Sequence, residues 1–116
     1  MAVGKREILA AQDWDFEEFD VPTWGKVRIR SLSARERLEL VKQFGSDRLG
    51  NEQACEFFCR LIALSLVDDE GAQVFDLNGD VEQLATRNWN RLSQVAERIM
   101  NFNGMNKAAA GAIEKN

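Results

Sequence analysis

The feature that most constrains this chain is the apolar run from Ala54 to Val67, ACEFFCRLIALSLV, which is nearly free of residues that break a helix. Polar side chains at Glu52, Glu56 and Arg60 recur every four residues and therefore share one helix face. The remaining surface of the run is apolar, and it is shorter than the roughly 20 apolar residues that a bilayer span requires. The run predicts a central helix whose second half is covered by other elements.

Composition places the chain among ordinary soluble globular proteins. With 116 residues, 45% hydrophobic and 29% charged, it can bury one core, so we expect a single domain over residues 1–116. The net charge of -4 offers no basic surface for nucleic acid. The N-terminus lacks the apolar segment of a signal peptide and no stretch has membrane length. We therefore expect a cytoplasmic protein with no nucleic-acid partner and no membrane partner.

The cysteines, Cys55 and Cys59, lie four residues apart on the predicted central helix. They share a face but are not well aimed at each other for a disulfide, so we expect buried free thiols. The chain contains no histidine. Two thiols without histidine fall short of a closed zinc site, and no Ser-His or Cys-His nucleophile pair can form. We predict no metal, no cofactor, no catalytic residue and no enzymatic activity.

Two segments of alternating polarity, Glu18–Val21 and Lys26–Arg30, flank a turn at Pro22-Thr23-Trp24-Gly25 and predict a β-hairpin. One register brings apolar residues opposite each other on one face and opposite charges on the other face. A register two residues tighter satisfies the charges nearly as well. The pairs in the first register are Val21 with Val27, Phe19 with Ile29, Asp20 with Arg28 and Glu18 with Arg30.

Ser33-Ala34-Arg35-Glu36 has the spacing of a capping box, in which the serine and glutamate side chains satisfy the first backbone N–H groups of a helix. This helix is expected to run to about Phe44 and to stop at Gly45, before a polar loop over residues 46–51. We expect its inward face to consist of Ala34, Leu38, Val41 and Phe44.

Asn88 is placed to cap a strongly amphipathic helix that ends at Gly104 and covers the central helix. Between these helices, residues 72–75 are compatible with a short strand and residues 80–83 with a capped helical turn. Residues 105–116 have little to bury and predict a loosely ordered tail. These patterns predict the α+β class: a mainly α-helical domain with an N-terminal β-hairpin packed on a central buried helix.

The acidic segment after the central helix, Asp68-Asp69-Glu70-Gly71, resembles a calcium loop only superficially. In the following candidate, which starts at Asp76, glycine falls at the fourth position instead of the sixth and no glutamate occupies the twelfth. A hydrolase built on these carboxylates with Asp76 or Asp80 is the enzymatic alternative. Adjacent acids on a turn are more often simply solvated, so we favour a non-catalytic protein.

The order of these landmarks resembles one family, the tail assembly chaperones of long-tailed, siphovirus-type bacteriophages. The resemblance covers about the whole chain and consists of packing and turn residues. The segments that carry it are Ile8-Leu9-Ala10-Ala11, Val21-Pro22-Thr23-Trp24-Gly25, Val27-Arg28-Ile29-Arg30, Leu32-Ser33-Ala34-Arg35-Glu36-Arg37, Leu61-Ile62-Ala63-Leu64-Ser65-Leu66-Val67-Asp68-Asp69-Glu70-Gly71, Asp80-Val81-Glu82-Gln83-Leu84 and Asn101-Phe102-Asn103-Gly104-Met105.

The resemblance implies a non-catalytic binding protein of the infected host cytoplasm. Members of the family bind the tape measure protein, keep it soluble and help recruit tail tube subunits, and they are absent from the mature virion. Many exist in a short form and in a longer form, produced by a translational frameshift, that contacts the tail tube protein. This chain looks like the short form. Homo-oligomerisation is compatible with a long partner that offers repeated sites, and a head-tail joining or other minor virion structural protein is the alternative.

The last residues permit a test of the two-form output. Glu114-Lys115-Asn116 can be encoded as GAA AAA AAC, which contains the slippery heptamer A AAA AAC in the frame that a backward slip requires. An ordinary Lys-Asn ending is the alternative. The codons of the gene decide between the two.

Four large apolar residues near the ends of predicted elements are the candidates for contact with the partner. Trp24 lies in the hairpin turn, Phe102 and Met105 flank Gly104, and Trp14 precedes the hairpin. Aromatic residues and methionine are enriched at protein interfaces. For each of the four, the alternative is that it covers the core from outside.

Overall fold

The computed structural model describes residues 2–44 and 50–105 of the chain. Its elements confirm the predicted α+β class, with an N-terminal hairpin followed by helices. The predicted stop at Gly45, the loop up to residue 49 and the tail from residue 106 lie outside the described residues. The elements are α1 Lys5–Ala10, β1 Phe16–Val21, β2 Gly25–Arg30, α2 Ala34–Phe44, α3 Asn51–Ser65, β3 Leu66–Val67, α4 Val81–Leu84 and α5 Trp89–Phe102.

Helix α3 is the predicted central helix. It begins after Gly50, its polar stripe includes a Glu56–Arg60 ion pair at 3.1 Å, and its second half is buried as expected. The last two residues of the apolar run leave the helix and form β3. Because β3 pairs with β2, the central helix is joined directly to the sheet. Its buried residues are Cys59, Leu61, Ile62, Ala63 and Ser65.

The sheet has the order β1-β2-β3, and the hairpin adopts the tighter alternative register, so the predicted pairing of Val21 with Val27 is wrong. Phe19 lies opposite Val27 and Asp20 opposite Lys26. Both registers keep the apolar side chains on one face, so the shorter turn decides between them. The Trp24 N–H donates to the carbonyl of Val21 at 3.1 Å, which closes the turn.

Helix α2 is rotated relative to the prediction. Leu40 is buried and Phe44 is half-buried, whereas Ala34 is exposed, Leu38 is 52% exposed and Val41 is 47% exposed. The expected inward placement of Ala34, Leu38 and Val41 is therefore wrong. Helix α2 carries two apolar faces, and contacts beyond the helix select the one that contains Leu40.

Two contacts fix this rotation. Arg30 donates two hydrogen bonds to the carboxylate of Glu36, at 2.9 and 2.7 Å, which holds the Glu36 side of α2 against β2. Phe44 packs edge-to-face on Phe57 of α3, with ring centroids 5.2 Å apart. Glu36, Leu40 and Phe44 are spaced by four residues and share one helix face. The predicted capping box forms, with Ser33 N–H donating to Glu36 at 2.8 Å and Glu36 N–H donating to the Ser33 hydroxyl at 3.1 Å.

Helix α5 covers α3 as predicted. The Asn88 side chain accepts from the backbone N–H groups of Asn90 and Arg91, which confirms the predicted cap. The apolar side chains at the centre of α5 are buried. Trp89, at the start of the helix, is 50% exposed and stacks on Phe58. The buried residues of α5 are Leu92, Val95, Ala96 and Ile99.

Of two short predictions between α3 and α5, the helical turn forms as α4 but without its side-chain cap, and the strand is wrong. Residues 72–75 form a single bridge, Val67 with Gln73, and not a strand. The Asp80 carboxylate accepts from the N–H of Asp76 and does not cap α4. No helix among the described residues is long and apolar enough to cross a membrane.

The orientation of α2 predicts opposite outcomes for two leucines. Leu40→Ala should lower the free energy of unfolding by about 2–5 kcal/mol, because it leaves a cavity in the core. Leu38→Ala should change it by less than about 0.5 kcal/mol, because the side chain lies half in solvent. Urea denaturation followed by circular dichroism measures both. Equal losses in the two variants would contradict the observed rotation.

The Arg30–Glu36 pair predicts a pH dependence of stability. Burial of the Glu36 carboxyl would raise its pKa, but the Arg30 guanidinium and the hydrogen bonds from Ser33 outweigh burial and hold the pKa below its usual value. The stabilisation is thus present above the unfolded-state pKa of about 4.3 and is lost as pH falls through the lower folded-state pKa. Glu36→Gln should lower stability at pH 7 by about 1–3 kcal/mol.

The Glu36→Gln variant should also flatten the decline of stability below about pH 4.3 relative to the wild type. Denaturant unfolding between pH 7 and pH 3 measures this slope. Glu39→Gln, an exposed residue of the same helix, is the matched control and should behave as the wild type does. An unchanged slope in Glu36→Gln would show that this carboxyl does not link folding to pH.

Candidate protein-binding surface

An apolar groove lies beside the hairpin turn and contains Trp24. The half-buried Trp24 side chain forms one wall, and Val27 and Leu66 supply the sheet side of the groove. Phe75, from the loop before α4, and Leu84, from α4 itself, complete its apolar lining. The groove has a volume of about 690 Å³, which is within the range of side-chain and ligand sites. Its polar rim consists of Asp80, Gln83, Thr86 and Arg87.

The backbone of the hairpin turn places Trp24 at this groove. Thr23, directly before it, has a φ of 69°, a left-handed conformation that is unfavourable for a β-branched residue. Pro22 fixes the preceding backbone angle. Strained residues persist where the surroundings hold them in place, and they often occur at functional sites. Because the turn holds Thr23 in this conformation, the backbone position of the next residue, Trp24, is fixed as well.

Phe102 and Met105 lie at a different place. Both are half-buried and pack against the core at the C-terminal end of α5. Gly104 has a φ of 67°, and the Met105 N–H donates to the carbonyl of Met100 at 2.7 Å, which forms a Schellman cap. Met105 is thus part of the helix cap, and not the start of a loose tail as predicted.

The cap of α5 is joined to the segment between β2 and α2. The Asn103 side chain accepts from the Leu32 N–H at 2.9 Å, and the Asn103 carbonyl accepts from Arg37 at 3.1 Å. Leu32 lies two residues beyond the end of β2, whereas Trp24 directly precedes its first residue. A six-residue strand is roughly 20 Å long, so the structure does not bring Phe102 and Met105 together with Trp24.

Trp14 lies on the outer face of the sheet. The Arg30 guanidinium lies over its ring, 4.5 Å from the centroid, and the next residue donates from its backbone to the Ser31 hydroxyl. Arg28 covers Phe16 in the same way, at 4.2 Å. Trp14 thus belongs to a cation–π arrangement that supports the Arg30–Glu36 pair. It shares no groove with Trp24.

Sequence reasoning missed one surface feature, the exposed apolar stripe of α2. The sequence shows Leu38 and Val41 on an apolar face and predicts, wrongly, that this face packs in the core. Only the contacts of Glu36 and Phe44 with other elements show that it faces solvent. Helix α1 is a second exposed apolar region. None of its residues is buried, and Ile8 and Leu9 lie largely in solvent.

The Cys59 thiol is buried, and the acidic turn at Asp68 is ordered by its own hydrogen bonds. Burial, together with neighbouring Cys55, raises the pKa of the Cys59 thiol to about 12, so it stays protonated and is a poor nucleophile. The Asp68 carboxylate accepts from the N–H groups of Glu70 and Ala72, which orders the turn. Within residues 2–44 and 50–105, no cluster of three or more His, Cys, Asp or Glu side chains could hold a metal ion.

Comparison of the chain with family models, with curated proteins and with solved structures finds no match.

Proposed function

We propose that this protein is a non-catalytic tail assembly chaperone that binds the tape measure protein of a long-tailed bacteriophage. The observation that carries this proposal is the apolar groove beside Trp24. A tape measure protein is expected to be long and helical, with apolar stripes that aggregate unless they are covered. A groove with an aromatic wall and a polar rim suits one or two side chains from such a stripe.

The groove is suited to moderate and reversible binding. Fully burying one large apolar side chain contributes about 1.5–3 kcal/mol, so one or two such residues give weak association at each site. Repeated weak sites along a long partner raise the overall affinity by multivalency. A chaperone that must leave before assembly is complete benefits from this mode of binding.

The remaining parts of the proposal follow from the family resemblance. The protein acts in the host cytoplasm and is absent from the mature virion. A longer frameshifted form recruits the tail tube protein, and copies of the chain associate along the tape measure protein. The alternative is a head-tail joining or other minor virion structural protein, which would remain in purified particles.

Co-expression tests the binding proposal. The tape measure protein from the same genome should be soluble and co-purify with the tagged chain. Trp24→Ala should reduce its recovery by about tenfold, because a central aromatic residue is removed. Arg87→Glu at the groove rim is a second variant that leaves the core intact. Trp89→Ala, a half-exposed tryptophan outside the groove, is the matched control and should retain binding.

Two results would contradict this proposal. One is a tape measure protein that does not co-purify with the wild-type chain. The other is equal recovery by the Trp24 and Trp89 variants when thermal unfolding shows both to be folded. In the second case the groove is not the contact surface, although the chain binds its partner.

The two-form output and the fate of the protein are tested separately. Expression of the gene with its native downstream DNA should give a minor longer product beside the 13.2 kDa chain, resolved by intact mass. Mass spectrometry of purified particles should detect neither form. Detection of the chain at a stoichiometry similar to that of tail proteins would favour the virion component.

A further inference from the structure

The apolar stripe of α2 consists of Ala34, Leu38 and Val41. Successive residues of an α-helix are rotated by about 100°, so these three residues fall on one face, and Glu36 lies roughly opposite them. About half of the surface of Leu38 and of Val41 lies in solvent, whereas Leu40 is buried in the core. Such a stripe on a docked helix is suited to contact with a second helix.

The charges that border the stripe have one sign. Arg37, which also donates to the Asn103 carbonyl, and Lys42 are the nearest charged residues on its two sides, and Arg35 follows next on the side of Lys42. Glu36 faces the opposite way and is paired with Arg30. Glu39, the other acidic residue of the helix, lies farther from the stripe around the helix axis than these three basic residues do. The stripe is thus rimmed by positive charge on a protein whose net charge is -4.

We propose that the α2 stripe docks an acidic amphipathic helix of another protein. Leu38 and Val41 contact the apolar face of that helix, and Arg35, Arg37 and Lys42 face its acidic flanks. The charge pattern decides against docking of helix α1 from a second copy of this chain. The exposed helix α1 of a second copy carries Lys5 and Arg6 beside Ile8 and Leu9, so like charges would meet.

This docking face is independent of the groove at Trp24. The groove lies at the turn of the hairpin, whereas α2 starts after the other end of β2. The inference therefore goes beyond the proposed function and gives the domain a second contact. A domain with two separate contacts can hold two segments at the same time.

The test uses the full-length chain and two hydrocarbon-stapled 18-residue helical peptides. Both peptides carry leucine at i, i+3, i+4 and i+7 positions, with glutamate flanks in one and lysine flanks in the other. The chain is labelled with ¹⁵N, and the amide resonances of residues 34–44 are followed during titration. The acidic peptide should shift these resonances and bind at least about tenfold more tightly than the basic one, with a smaller difference at high salt.

Paired substitutions test whether the α2 stripe is the surface that binds the acidic peptide. Leu38→Gln with Val41→Gln should weaken binding of the acidic peptide by about tenfold or more, since the apolar contact is lost. Leu9→Gln with Val74→Gln is the matched control, because it removes the same residue types from exposed positions elsewhere. Arg35→Glu with Lys42→Glu should reverse the peptide preference, and Lys5→Glu with Arg6→Glu should leave it unchanged.

Three outcomes would overturn the inference. They are equal binding of the two peptides or no binding of the acidic one, resonance shifts confined to the Trp24 groove, and concentration-dependent dimerisation that the Leu38 and Val41 substitutions abolish. The last result would identify a second copy as the occupant. Because the peptides are defined, none of these outcomes depends on whether the tape measure protein binds the chain.

Discussion

The pairing of Arg30 with Glu36 is the interaction on which most of the arrangement depends. Arg30 comes from the last position of β2, and Glu36 from the first turn of α2. The same carboxylate accepts from the Ser33 N–H and so caps the helix that it orients. Trp14 covers the guanidinium and partly shields the pair from water. This partly buried ion pair helps to set where α2 begins and, together with the packing of Phe44 on Phe57, fixes how the helix is rotated.

This rotation determines which apolar side chains remain outside the core. With Glu36 held against the sheet, Leu40 and Phe44 point to α3, and the stripe that contains Leu38 is left in solvent. The hairpin turn produces the other exposed apolar surface, since the tight register places Trp24 beside Phe75 and Leu84. Both surfaces follow from contacts that stabilise the fold, and neither requires a separate binding element.

The sequence predicted the features that depend on local patterns. The central helix, the capping box at Ser33, the Asn88 cap and the two faces of the hairpin all follow from residues that are close in the chain. The exposed face of α2 could not be predicted, because both its faces are apolar and a residue of β2 decides between them. Trp24 was identified as a contact candidate, but the groove around it is completed by Phe75 and Leu84, far along the chain.

The bonds of Asn103 have a consequence for anything attached after this domain. They hold the end of α5 against the first turn of α2, and the Schellman cap fixes the backbone as far as Met105. Any segment that follows Met105 is thus tethered beside the first turn of α2. Its effective concentration near that helix is set by the length and stiffness of the tether.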